Sequence, residues 1–75
     1  MYSDNSNEAV IVKLKIMNAT FYIWNTKTDE SFDTNEGRFY PSNWDVELEE
    51  KIYLEMLMDN HPEKFENCKI VNKLD

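Results

Sequence analysis

The chain has 75 residues with 15 acidic side chains against 8 basic ones, a net charge of −7, so it holds one domain and one modest core, and its field disfavours direct contact with nucleic acid or anionic membrane. At 41% hydrophobic and 13% aromatic it is too apolar for a disordered chain. Its one cysteine, Cys68, excludes an internal disulfide and fits a reducing cytoplasm, and no apolar run approaches the roughly 20 residues of a membrane span.

Met1 to Glu8 is polar and without periodicity, carries no signal-peptide pattern, and reads as a frayed start. From Ala9 the pattern changes. Val10, Val12, Leu14 and Ile16 alternate with Ile11, Lys13, Lys15 and Met17, the period-two signature of a half-buried strand. A second strand follows at Phe21-Tyr22-Ile23-Trp24. A turn at Asn18-Ala19 pairs the two as a hairpin, with Ile16 opposite Phe21 and Leu14 opposite Ile23 on one face, Lys15 opposite Tyr22 and Lys13 opposite Trp24 on the other. Lysines beside aromatics have two readings: stacking and phosphate contacts to a nucleic-acid strand, or lysine stems covering rings. The acidic body favours the second.

Asn25 to Asp29 is a turn-rich loop. Short strands are expected at Ser31 to Asp33 and Arg38 to Tyr40, around a turn at Asn35-Glu36-Gly37 that uses the chain's one glycine for a positive φ. Pro41 to Pro62 then predicts the main helix. Ser42 and Asp45 have capping-box spacing, Pro41 and Val46 fit a hydrophobic staple, and Asp45, Glu47, Glu49 and Glu50 crowd the positive end. Asn60 in a left-handed conformation and the following Pro62 close it.

Leu48, Ile52 and Met56 form an i, i+4, i+8 stripe in that helix. The second half is apolar all round, although a chain of this size buries only roughly 60% of its unfolded surface. Either the sheet and the tail after Pro62 cover both sides, or another chain covers one. In the tail, Phe65 is an apolar anchor, and Cys68, Ile70 and Val71 make a last strand beside the hairpin. The expectation is a small α+β domain spanning residues 1–75, an antiparallel sheet packed on one main α-helix.

Charge is concentrated. From Asp29 to Glu66 the balance is −9, while each flank is +1. Chemistry is scarce by contrast. His61, Cys68 and their acidic neighbours fit no zinc spacing. The run Asp33 to Gly37 starts like a calcium loop, but its glycine is one place early and Trp44 stands where the closing glutamate belongs. One glycine allows no phosphate loop or nucleophile elbow. The expectation is a non-enzymatic chain with no cofactor and no metal, acting by binding another protein.

In size, in its Asn/Lys/Asp/Glu/Ile-rich composition, its single cysteine and its acidic predicted helix Trp44 to Asn60, the chain resembles the small acidic proteins that bacteriophages direct against host enzymes, including anti-CRISPR and anti-restriction proteins. The resemblance is of general character, without a shared motif, and transfers no residue. It implies a DNA mimic, an inhibitor in the host cytoplasm that occupies the basic groove of a nuclease or DNA-binding protein. On that reading Asp29, Glu30, Asp33, Glu36, Asp45, Glu47, Glu49 and Glu50 engage lysines and arginines, with Tyr40 and Trp44 as aromatic anchors at the rim. The alternative is a structural or accessory protein, a homodimer formed through Tyr53, Leu54, Leu57 and Met58.

Overall fold

A computed structural model describes residues 18–41 and 45–74. Its elements are β1 (Phe21–Asn25), β2 (Glu30–Asp33), β3 (Arg38–Pro41), α1 (Lys51–Asn60) and β4 (Cys68–Asn72). The four strands form one antiparallel sheet in the order β3-β2-β1-β4. With α1 against it, this is the small α+β architecture expected from the sequence.

β1 is one of the two inner strands, and its residues suit that place: Phe21, Tyr22, Ile23 and Trp24 are aromatic or β-branched. One edge pairs along its whole length with β4, Phe21 opposite Asn72 and Ile23 opposite Ile70. The other edge pairs with β2, Ile23 opposite Phe32. β2 stops at Asp33, and the vacant place opposite Phe21 is taken by Glu49, whose N–H and C=O both bond to Phe21 at 2.8 and 3.0 Å. Both edges of β1 are thus filled. The expected hairpin partner, Val10 to Met17, lies outside the described residues, but the pairing assigned to it is overturned, since Ile23 faces Phe32 and Ile70 rather than Leu14.

The same two bonds explain why the helix starts late. A helix from Trp44 requires the Glu49 N–H to bond the Asp45 carbonyl, but that N–H is committed to Phe21. Residues 45–50 therefore stay out of the helix, with Glu49 bridged to Phe21 and Glu50 extended at φ −70° and ψ 144°, and α1 begins at Lys51 with Glu50 as an N-cap that makes no side-chain capping bond. The Ser42–Asp45 capping box is replaced, although Ser42 itself lies outside the described residues. At the other end α1 stops at Asn60 as expected, but by a different device. His61 caps it at φ −134°, its N–H bonded to the Leu57 carbonyl, and Asn60 is not left-handed.

Turn chemistry sets the hairpins. Asn25 Oδ1 accepts from the N–H groups of Lys27 and Thr28, and Asp29 takes φ 58°, which aspartate tolerates better than most residues. Gly37 has φ 71°, and its N–H bonds the Asp33 carbonyl at 2.7 Å. Pro41 ends the edge strand β3, where a missing N–H costs least.

One face of the sheet carries the core: Ile23, Phe32, Leu54 and Phe65 are buried together, with Phe21, Phe39, Leu57, Met58, Cys68 and Ile70 packed around them. α1 covers β1 and β4, while Phe65 stands edge-on to Phe32 and near Phe39, at centroid distances of 4.9 and 6.1 Å. The inward stripe of α1 is therefore Leu54, Leu57 and Met58, spaced i, i+3, i+4. The expected stripe is on the opposite side: Ile52 and Met56 are 61% and 57% exposed, and Leu48 lies outside the helix.

Candidate functional site

Exposure alternates from Asp45 to Glu47 and then evens out. Asp45 and Glu47 are exposed, Val46 is buried, and Leu48, Glu49 and Glu50 are half-buried. The segment is fixed to the end of β2. Asp33 is buried, and its Oδ1 accepts the N–H groups of Asn35 and Glu47, each at 3.2 Å. Thr34 donates its hydroxyl to Glu49 Oε2 at 2.5 Å. Asp45 receives Lys73 Nζ at 2.9 Å, both groups well exposed.

Of the ten residues expected at the partner surface, the structure brings Asp33, Glu47 and Glu49 together around the end of β2. Asp33 is a structural acceptor here and is not offered to a partner. Asp29 and Glu30 stand at the far end of the same strand, where Asp29 Oδ1 accepts the indole N–H of Trp24 at 2.9 Å. Glu36 and Tyr40 form a third group: the phenol donates to the Glu36 carboxylate and accepts from Arg38 Nε at 2.7 Å, with the guanidinium 4.7 Å over the ring. The bond to Glu36 raises the Tyr40 pKa, and the bond to Tyr40 raises that of Arg38. Trp44 lies outside the described residues.

The expected self-association surface is corrected more sharply. Leu54 is 1% exposed and belongs to the core, and Leu57 and Met58 pack on it. Only Tyr53 stands at the surface. The apolar surface of α1 is instead Ile52, Tyr53 and Met56. A groove of about 500 Å³ runs over the shoulder of the helix toward β4, lined by Ile52, Glu55, Met56, Met58, Asp59 and Ile70. Sequence reasoning missed it because it placed Ile52 and Met56 inside. The alternation of acidic and apolar residues at 45–49 was the readable sign that the helix starts later.

The opposite face of the sheet carries Trp24 beside Ser31 and Ser31 beside Tyr40. Ser31 is 1% exposed, and its Oγ has no hydrogen-bond partner among the described residues. Lys69 Nζ sits 5.1 Å over Trp24, the covering role foreseen for Lys13. His61 caps the helix and Cys68 begins β4, where burial raises its thiol pKa. Among the described residues no three His, Cys, Asp or Glu side chains converge as metal ligands, and no helix is long and apolar enough to cross a membrane. Compared with protein-family models, curated proteins and solved structures, the chain matches none.

Proposed function

We propose that this protein is a non-catalytic, stoichiometric binding module for a basic protein partner, acting in the cytoplasm as a phage-type inhibitor that fills the basic groove of a nucleic-acid-handling enzyme. The observation that supports it is how the charges are disposed. Three of the six described cations lie over rings: Arg38 over Tyr40, Lys64 over Phe32 at 4.9 Å and Lys69 over Trp24. Lys73 with Asp45 is the one ion pair among the described residues. The acidic groups of Asp29 to Glu66 thus stay largely uncompensated at short range, and only Asp33 among them is buried. Glu47 and Glu49 are in addition held on a backbone pinned to Asp33 and Phe21. That lowers the ordering cost of presenting them to lysines and arginines, and their field steers such a partner in.

The test is a tagged pull-down from nuclease-treated bacterial lysate in low salt, followed by a salt titration of the recovered complex. A basic, nucleic-acid-handling enzyme near one-to-one is expected, with affinity falling on the order of tenfold or more as salt rises past the point where the Debye length shrinks below contact range. Glu47→Lys with Glu50→Lys should weaken it comparably. An affinity unchanged between low and high salt overturns the proposal.

A further inference from the structure

The acidic surface accounts for attraction but not for the apolar residues beside it. Ile52 and Met56 lie one turn apart on the outer side of α1, both more than half exposed. Around them the groove continues in two directions. Toward β4 its floor is Met58 and Ile70, with Glu55 and Asp59 on the rim. Past Ile52 it meets a second hollow of about 470 Å³ bounded by Phe21, Glu50, Lys51 and Leu74. The ionisable side chains lining the two hollows are thus Glu50, Glu55 and Asp59 against Lys51. β4 is an edge strand, so no strand of the described residues closes the far side.

An apolar trough with a net negative rim selects a particular partner chemistry. It repels a second copy of this chain, which is itself at −7, and it fits a short apolar segment bearing lysine or arginine. We propose that the groove between α1 and β4 docks such a basic, amphipathic segment of the partner. The apolar side chains of that segment rest on Ile52, Met56 and Ile70, and its cations face Glu55 and Asp59. The inference rests on the binding-module reading and deepens it. The acidic surface supplies attraction and on-rate, while the groove supplies the desolvated anchor that sets residence time. Methionine suits this place, since its flexible thioether adapts to an irregular partner surface.

The test follows the methyl signals of Met56 and Met58 in the full chain, labelled with ¹³C-methyl methionine, as a short synthetic peptide of alternating leucine and lysine is added. Its leucine–glutamate counterpart is the control. Both methyls should shift with the lysine peptide and neither with the glutamate one. Met56→Asp and Ile52→Asp, at exposed positions that leave the core intact, should each weaken binding on the order of tenfold. Three results overturn the proposal. Binding untouched by Met56→Asp but lost on Glu47→Lys means the acidic surface acts alone, so the groove fails while the binding-module reading stands. Methyl shifts that track protein concentration without peptide assign the groove to a second copy. Contacts from Met56 to the chain's own first seventeen residues assign it to this chain. A captured partner whose affinity ignores salt is the separate failure of the binding-module reading.

Discussion

Leu54 and Met56 are two residues apart on one short helix, and the structure assigns them opposite weights. Leu54 is buried with Ile23, Phe32 and Phe65, so truncation to alanine loses the transfer energy of its side chain and opens a void. Such substitutions cost about 2–5 kcal/mol. The α1 shoulder faces an open groove and can partly collapse, which places Leu54→Ala near 3 kcal/mol. A chain of 75 residues has roughly 4–11 kcal/mol in all, so this is a large share. Met56→Ala removes a side chain already mostly in water and should stay within about 0.5 kcal/mol. With a urea dependence of ~1 kcal/mol per M, the midpoint falls by about 3 M for Leu54→Ala and by less than about 0.5 M for Met56→Ala. Urea unfolding followed by tryptophan fluorescence reads both. Equal shifts, or a larger shift for Met56, refute the reasoning, since they would mean that α1 presents Ile52 and Met56 to the sheet.

Three further outcomes follow from the same geometry. Asp33→Ala removes the acceptor that ties Glu47 to the end of β2 and should cost about 2 kcal/mol, with Asp33→Asn retaining most of it; faster amide exchange at Glu47 is the local readout. Gly37→Ala meets no atom within 4 Å, so its cost comes from φ 71° alone, about 1 kcal/mol by urea unfolding. Burial raises the Cys68 pKa, so at mildly alkaline pH the folded chain reacts with iodoacetamide more slowly than the unfolded chain does. The matching contribution to stability is present below the thiol's unfolded pKa and is lost as pH rises through the folded one.

Where strands carried dense local signals the sequence was legible. Phe21 to Trp24, Ser31 to Asp33, Arg38 to Tyr40 and Cys68 to Val71 all lie within strands, and the turn at Gly37 has its positive φ. The helix start was not legible, because Asp45-Val46-Glu47-Leu48-Glu49 satisfies two codes at once. Acidic residues ahead of an apolar run signal a helix N-terminus, and the same residues alternate with period two. The choice was made by a long-range pairing, Glu49 with Phe21, that no local window contains. Moving the start to Lys51 also undid the reading of faces. On ten residues that are apolar on most sides, Leu54-Leu57-Met58 and Ile52-Met56 are both plausible stripes, and position against β1 and β4 selects the first. The candidate acidic surface was legible as composition, but its division into three groups was not, since it depends on where β2 ends.

That division bears on how an acidic surface of this kind can work. Carboxylates on the first turns of a helix are stabilised there by the helix's positive end, so presenting them to a partner competes with an interaction already made. On the segment at 45–50, Glu50 caps α1, but Glu47 stands four residues ahead of Lys51, where the pull of the helix end has largely fallen away. The backbone is instead held by bonds that use other groups: Glu49 through its own N–H and C=O to Phe21, and Glu47 through its N–H to Asp33. The Glu47 side chain is exposed and makes no hydrogen bond or ion pair among the described residues, whereas Glu49 already accepts from Thr34. Between the two, Glu47 is the carboxylate that can bind a partner's cation without losing an internal bond, so its charge reversal should weaken binding more than that of Glu49. Reversing Glu49 should instead lower stability first, because it strips the acceptor from Thr34 at the junction that ends β2. A binding loss larger at Glu49 than at Glu47, with stability unchanged in both, would contradict this ordering and the placement of the 45–50 segment on which it depends.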